Sequence, residues 1–108
     1  MTLGELQRFE EAKALIRKTV PVARRILGES DEGTLKMRWT YARTLYEDDS
    51  ASLDDLREAV TTLESVAKSW KQVFGDLHPE TPRVQSVLEI ARNKLARAAA
   101  ASESKPPP

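Results

Sequence analysis

Apolar residues recur along most of the chain at spacings of three, four or seven positions, which is the period of an amphipathic helix. Polar breaks at residues 28–33, 47–52 and 75–80 divide this pattern into segments. The pattern therefore predicts an all-α fold of about four helices, at residues 4–27, 35–47, 53–74 and 82–101. Residues 102–108 lack apolar side chains and end in three prolines, so we expect a disordered tail there.

The first two segments carry less regular stripes than the later ones. Pro21 lies inside the first segment, where proline removes a backbone donor at a cost of about 3 kcal/mol, so we expect a kink near residues 18–20 or two shorter helices. The second segment follows Thr34, whose hydroxyl can cap a helix. The first stripe consists of Leu6, Phe9, Ile16, Val20, Ala23 and Leu27. The second apolar arc holds Leu35, Trp39, Tyr41, Ala42, Leu45 and Tyr46, with Arg38 among them and Lys36, Thr40, Arg43 and Thr44 opposite.

The third and fourth segments have the clearest boundaries. Ser52 with Asp55 three residues later resembles a capping box, and Gly75 is a typical C-terminal stop. Thr81 followed by Pro82 is a typical helix start. The predicted buried stripes are Leu56, Val60, Leu63, Ala67, Trp70 and Phe74 in the third helix, and Val84, Val87, Leu88, Ala91, Leu95 and Ala98 in the fourth.

The chain matches itself when it is shifted by 47 residues. The matched pairs are Glu11-Ala12 with Glu58-Ala59, Ile16 with Leu63, Ile26 with Val73, Gly28 with Gly75 and Thr34 with Thr81. An offset that is maintained across two helices and the turn between them indicates a helical-hairpin repeat.

Three short sequence motifs lie within this repeat. Residues 9–12 read Phe-Glu-Glu-Ala, residues 26–28 read Ile-Leu-Gly, and residues 74–81 read Phe-Gly-Asp-Leu-His-Pro-Glu-Thr. In this combination the chain resembles the tetratricopeptide repeats of the kinesin light chain type over most of residues 9–95. The resemblance implies antiparallel helical hairpins stacked as a short right-handed solenoid that binds other proteins.

The sequence departs from that family in its turn and in its groove. Residues 31–34 read Asp-Glu-Gly-Thr where the family has a His-Pro turn. The paired asparagines that face the family's ligand groove would fall at Trp39-Thr40 and Ser86-Val87, and they are absent. The resemblance therefore implies the architecture, but not peptide binding by the family's own groove residues.

Composition excludes several classes of function. The chain has 17 basic and 17 acidic residues, one histidine and no cysteine, so thiolate or all-histidine metal sites and cysteine nucleophiles are ruled out. The balanced charge gives no basic excess for nucleic acid or an anionic membrane. We expect no cofactor and no metal. The charged start of the chain is unlike a secretory leader and no apolar run approaches about 18 residues, so we expect a cytoplasmic protein, with import into an organelle left open.

Two features have a chemical and a structural interpretation. His78 could act as a general base, but its place before Pro79 favours a role in ordering the turn by hydrogen bonding. The acidic residues between Glu47 and Asp55 could attract a divalent cation. They lack the spacing and the glycine of a calcium loop, which favours a solvated turn.

The candidate partner-binding residues lie on the second and fourth segments. They are Lys36, Arg38, Trp39, Arg43, Arg83, Ser86, Ile90, Asn93 and Arg97. Trp70 is predicted to be core, whereas Trp39 is equally compatible with core and recognition. Arg38 must pair with a carboxylate, extend to water or meet a partner. The candidates on the fourth segment form a basic rim around Ile90, which is either a solvated face or the place for a partner's acidic or extended segment.

These observations favour a non-catalytic adaptor or scaffold that binds a protein partner. The alternative is a small structural subunit held permanently in a larger assembly. An enzyme is disfavoured, because four helices with one histidine and no phosphate loop offer little from which to build a catalytic pocket. Fewer than three complete repeats are present, so we also expect either a compact bundle or apolar surface at both ends that another copy or a larger partner covers.

Overall fold

A computed structural model describes residues 2–48 and 51–103, and this part of the chain consists of four helices. They are α1 (Leu3–Ile26), α2 (Glu32–Glu47), α3 (Leu53–Phe74) and α4 (Thr81–Glu103). The all-α prediction is confirmed. The helix α4 continues through residues 102 and 103, which were expected in the tail, and residues 104–108 lie outside the described part.

The helix α2 begins three residues earlier than predicted, because Asp31 rather than Thr34 caps it. The Asp31 carboxylate accepts hydrogen bonds from the backbone N–H groups of Gly33 and Thr34 at 2.9 and 3.3 Å. Those two groups have no partner within the helix, so the side chain takes the place of the missing backbone carbonyls. The buried Thr34 hydroxyl points instead toward α1 and donates to the carbonyl of Ala23 at 3.4 Å.

The helix α1 passes through Pro21 as one continuous element, so the alternative of two shorter helices is wrong, while the kink near residues 18–20 stays a prediction. Pro21 itself is exposed, whereas Val20 is half-buried and Ala23 is buried. We attribute the continuity to this packing, which lies on both sides of the proline and offsets one lost backbone hydrogen bond.

The boundaries of α3 follow the sequence prediction. The Ser52 hydroxyl accepts from the Asp55 N–H at 3.1 Å, and the Asp55 carboxylate accepts from the Ser52 N–H at 3.5 Å. At the other end Gly75 has a φ of 74°, and its counterpart after α1, Gly28, has a φ of 97°. The two glycines that the 47-residue shift aligns therefore both have a positive φ, at or just beyond the ends of the two long helices.

Each helix packs on the next one along the chain, and α2 also touches α4. The core thus lies among α2, α3 and α4. It contains Leu35, Trp39, Ala42, Leu45, Tyr46, Leu56, Ala59, Val60, Leu63, Val66, Ala67, Trp70, Val84, Val87, Leu88 and Ala91. The predicted stripes of α3 and α4 are confirmed, with Phe74, Leu95 and Ala98 partly buried against this core.

The predicted stripe of α1 is buried only in part. Ala23 is buried, and Ile16 and Val20 are half-buried. Leu27 is 56% exposed, so the prediction that it belongs to the buried stripe is wrong. The side chains of residues 6 and 9 lie outside what the structure describes. Within the described residues the backbone of α1 approaches that of α2 alone, which explains why α1 contributes less to the core.

Candidate functional site

A cleft of about 270 Å³ lies between α2 and the start of α4. Its lining consists of Lys36, Trp39, Thr40 and Arg43 from α2 and Glu80 and Arg83 from the turn and first residues of α4. Four of the nine predicted partner-binding residues therefore meet in one place, and three of these four are cations.

Helical spacing explains the α2 side of the cleft. Lys36, Thr40 and Arg43 follow one another at intervals of four and three residues, which places them on one exposed face. Trp39 stands at the edge of that face and is buried. The α2 side is thus a row of polar side chains beside one indole.

The turn before α4 sets the position of Glu80 and Arg83. The Glu80 N–H donates to Nδ1 of His78 at 3.0 Å, and the Thr81 hydroxyl donates to the carbonyl of Gly75 at 2.7 Å. The His78 ring also lies 5.2 Å from the ring of Trp70 and 4.9 Å from that of Phe74, between ring centroids. The prediction that His78 orders this turn by hydrogen bonding is confirmed, and the turn is anchored to the core.

Each cation of the cleft has a weak acidic partner on its own helix or turn. Lys36 Nζ lies 3.2 Å from Glu32, and Arg43 Nε lies 3.1 Å from Glu47. Arg83 Nη1 lies 3.9 Å from Glu80, the one carboxylate in the lining. All three cations are more than half exposed, and such surface pairs are worth about 0.3–0.5 kcal/mol. An anionic group entering the cleft can therefore displace these partners at little cost.

Trp39 belongs to the core and also lines the cleft, so its core interpretation is confirmed and its role in recognition stays a prediction. Its ring packs edge-to-face on Trp70, with centroids 6.2 Å apart, and it is only 9% exposed. Its indole N–H has no hydrogen-bond partner among the described residues. A ligand in the cleft would therefore rest against a rigidly held aromatic side chain.

The other predicted residues lie outside the cleft. Arg38 donates to the Ser65 hydroxyl at 3.0 Å, and burial lowers the pKa of its guanidinium, with nearby Arg24 lowering it further. This contact to α3 is none of the three alternatives that the sequence left open for Arg38, and a contact with a partner stays a prediction. The remaining candidates continue along the exposed face of α4 beyond Arg83: Ser86, Ile90, Asn93 and Arg97.

Sequence reasoning missed two residues of the lining. Thr40 was assigned to the polar arc of α2 but not proposed as a site residue, although it lies four residues after Lys36. Glu80 was predicted only as part of the turn motif. It lies three residues before Arg83, and this spacing could have indicated that the two side chains share a face at the helix start.

The described residues form neither a metal-binding cluster nor a membrane-spanning helix. Within residues 2–48 and 51–103, no three His, Asp or Glu side chains converge in a way that could hold a metal ion. One member of the predicted acidic turn, residue 49, lies outside these ranges. None of the helices in the described part is long and apolar enough to cross a membrane.

Comparison with known proteins gives one family match. A family model described as a tetratricopeptide repeat matches residues 1–32, which comprise α1 and the turn that follows it. The match supports a tetratricopeptide-type repeat in this part of the chain. Searches of curated proteins and of solved structures gave no significant match.

Proposed function

We propose that this chain is a non-catalytic interaction module that binds an acidic, extended segment of a protein partner in the cleft between α2 and α4. The observation that carries the proposal is the convergence of Lys36, Arg43 and Arg83 beside the buried Trp39. Glu80 is the one carboxylate among the lining residues, while Glu32 and Glu47 pair with Lys36 and Arg43 from outside the lining, so three cations are available to an anionic ligand that displaces these partners.

The dimensions and chemistry of the cleft favour a side chain as the ligand. Its volume of about 270 Å³ is at the lower limit for small-molecule pockets. Two arginines can each form paired hydrogen bonds with a carboxylate, and the lysine adds a compact charge. The ligand that fits best is therefore one or two Asp or Glu side chains, presented by a segment that continues along the basic rim of Arg83, Ser86, Ile90, Asn93 and Arg97.

The repeat family supports the interaction role. Tetratricopeptide repeats are typically non-catalytic modules for protein binding, and the family match covers α1. The assignment to the kinesin light chain type is part of the proposal and rests on the motifs at residues 9–12, 26–28 and 74–81. Because the groove asparagines of that type are missing, the cations take over the contact with the ligand.

A binding experiment with model peptides tests the proposal. The probe is a fluorescein-labelled peptide of glutamates, with a glutamine peptide of equal length as the neutral comparison. We expect the glutamate peptide to bind and its affinity to fall with added salt, because screening weakens exposed charges. Arg43→Gln and Arg83→Gln should each weaken binding about fivefold, as the loss of about 1 kcal/mol predicts.

Arg57→Gln provides the matched control. Arg57 lies on α3, is exposed and pairs with Asp54 at 3.4 Å, but it does not line the cleft. Its substitution removes the same charge from the whole molecule and should leave the affinity unchanged. An equal loss of affinity in all three variants would show that binding depends only on the net charge of the molecule. Equal binding of the glutamine peptide would contradict the proposal. If the chain is instead a structural subunit without a free ligand, neither peptide binds.

A further inference from the structure

The outward side of α1 carries a second apolar stripe that none of the other three helices covers within the described residues. Leu15, Val22 and Ile26 follow at intervals of seven and four residues and are 65%, 40% and 72% exposed. Their spacing places them along one side of the helix, apart from the buried Ala23. A stripe of this kind is the usual seam between two helices.

The other end of the molecule is different. The 47-residue shift relates α4 to α2, whose apolar side packs on α3. The α4 residues that correspond to Trp39, Ala42, Leu45 and Tyr46 of α2 are Ser86, Glu89, Arg92 and Asn93, all exposed. The expectation of apolar surface at both ends is therefore wrong for the described face of α4, whose exposed large apolar residue is Ile90. Leu77 and Val73 are exposed in the turn before α4 and near the end of α3. Polar outer faces are typical of terminal repeats.

This asymmetry decides how two copies can associate. Head-to-tail stacking would place the apolar stripe of α1 against the polar face of α4, where its side chains would meet charged groups. An isologous contact brings the two α1 stripes together and leaves α4 in solvent. We propose that the chain forms a two-fold symmetric dimer through antiparallel pairing of α1 with α1 of a second copy.

The positions of the apolar residues define the register. A two-fold axis between Lys18 and Thr19 places Leu15 beside Val22 of the second copy. It places Ile26 level with Glu11 of the second copy, one residue from the small side chain of Ala12. Each of these contacts occurs twice by symmetry. The four apolar residues are exposed in the isolated chain, so the dimer removes their apolar surface from water.

The charges beside the stripe favour the same arrangement. Glu11, Lys18 and Arg25 follow at intervals of seven residues along one edge of it, and all three are exposed. In the antiparallel register Glu11 of each copy faces Arg25 of the other, giving two opposite-charge pairs and one Lys18 pair at the axis. In a parallel two-fold arrangement this edge lies on opposite sides of the interface in the two copies, so these opposite-charge pairs would not form. The edge charges therefore select the antiparallel dimer.

Sedimentation of the full chain across a hundredfold concentration range tests the dimer. We expect a reversible monomer–dimer equilibrium, with a monomer at every concentration for Leu15→Glu. The matched control Ile90→Glu places the same charge on the exposed face of α4 and should leave the dimer intact. Circular dichroism verifies that both variants remain helical. Arg43→Gln in the cleft should leave the mass unchanged, so this test is independent of peptide binding.

Charge reversal tests the register. Glu11→Arg replaces both opposite-charge pairs by repulsive ones and should weaken the dimer about tenfold, whereas the double variant Glu11→Arg, Arg25→Glu restores opposite charges and should recover most of the affinity. Because the chain has no cysteine, Lys18→Cys should also give a disulfide-linked dimer on oxidation, and Ser86→Cys on α4 should not.

Each remaining outcome contradicts the proposal in a defined way. A monomer throughout the concentration range excludes the dimer. Loss of the dimer in Ile90→Glu, or open-ended growth into larger species, indicates head-to-tail stacking. Glu11→Arg without effect excludes the antiparallel register.

Discussion

Tyr41 joins three helices through its hydroxyl. The oxygen accepts a hydrogen bond from Arg17 Nη2 of α1 at 2.9 Å, and the hydroxyl donates to Glu58 Oε2 of α3 at 2.5 Å. Burial raises the pKa of the phenol, and the hydrogen bond to Glu58 raises it further, while Arg17 acts in the opposite direction. The folded protein therefore holds this proton more tightly than the unfolded chain does.

Tyr41→Phe tests the contribution of this hydroxyl. At neutral pH we expect the free energy of unfolding to fall by about 1 kcal/mol, as for one lost hydrogen bond. A raised pKa contributes stability that is fully present below the unfolded value near pH 10 and is lost as the pH rises through the folded value. The wild type should consequently lose stability above about pH 10 more steeply than the variant, as measured by urea titrations at several pH values.

Tyr46→Phe is the comparison for the pH dependence. Burial also raises the pKa of Tyr46, so part of the slope should remain in Tyr41→Phe and disappear when both tyrosines are replaced. Identical slopes in the wild type and the double variant would show that the tyrosines do not control alkaline unfolding.

At the scale of the helices, glycine conformation determines where α3 ends. Gly75 has a φ of 74° and a ψ of 177°, a region that residues with a Cβ essentially avoid. A Cβ at Gly75 would meet no atom within 4 Å, so any penalty comes from the backbone and not from a clash. A Cβ at Gly4 in α1 would also meet no atom within 4 Å, and the φ of Gly4 is not positive, so alanine fits there without backbone strain.

Gly75→Ala and Gly4→Ala should therefore change stability in opposite directions. We expect Gly75→Ala to lower the free energy of unfolding by about 1–3 kcal/mol through backbone strain. Gly4→Ala should raise it by about 0.5–1 kcal/mol, because alanine favours the helix and restricts the unfolded chain. Thermal unfolding of both variants measures the difference, and a Gly75→Ala protein as stable as the wild type would contradict the strain argument.

Across the whole molecule, burial is distributed unevenly among the helices. Seven side chains of α3 are buried, whereas Ala23 is the buried one among the α1 side chains that the structure describes. The long-range hydrogen bonds of α1 include those from Arg17 to Tyr41 and from Thr34 to Ala23. Local opening of α1 therefore needs less free energy than opening of α3.

Amide hydrogen exchange should reveal this difference. In dilute solution, the amides of α1 should exchange faster than those of α3, since α1 can open while the core remains folded. Raising the protein concentration should slow exchange in α1 selectively if α1 forms the proposed dimer contact. Uniform protection of all four helices at low concentration would contradict the uneven distribution of stability.

The local features of this protein could be predicted from its sequence. Helical periodicity identified the buried faces of α3 and α4, because residues three and four apart share a side of any helix. Capping residues located the ends of α3 for the same local reason. The candidates Lys36 and Arg43 followed from the polar arc of α2, and the 47-residue shift aligned Gly28 with Gly75, both of which have a positive φ.

Contacts between distant segments could not be predicted in this way. The cleft brings Glu80 and Arg83 beside Lys36 and Arg43 only because α2 touches α4, and this approach depends on the packing of both helices on α3. The same packing decides that Lys94 Nζ donates to the carbonyl of Tyr46 at 3.0 Å near the end of α2.

Local sequence patterns were enough to predict four helices and the apolar side of α3 and α4, since both depend on neighbours within one or two turns, but they missed the start of α2 and the end of α4. Only the tertiary structure decided that Trp39 serves core and cleft together, that Arg38 contacts Ser65, and that α1 keeps an exposed stripe while α4 presents a polar face. These outcomes depend on which helix surfaces bury each other, and that choice is made by packing over the whole chain and not by the spacing of residues within one helix.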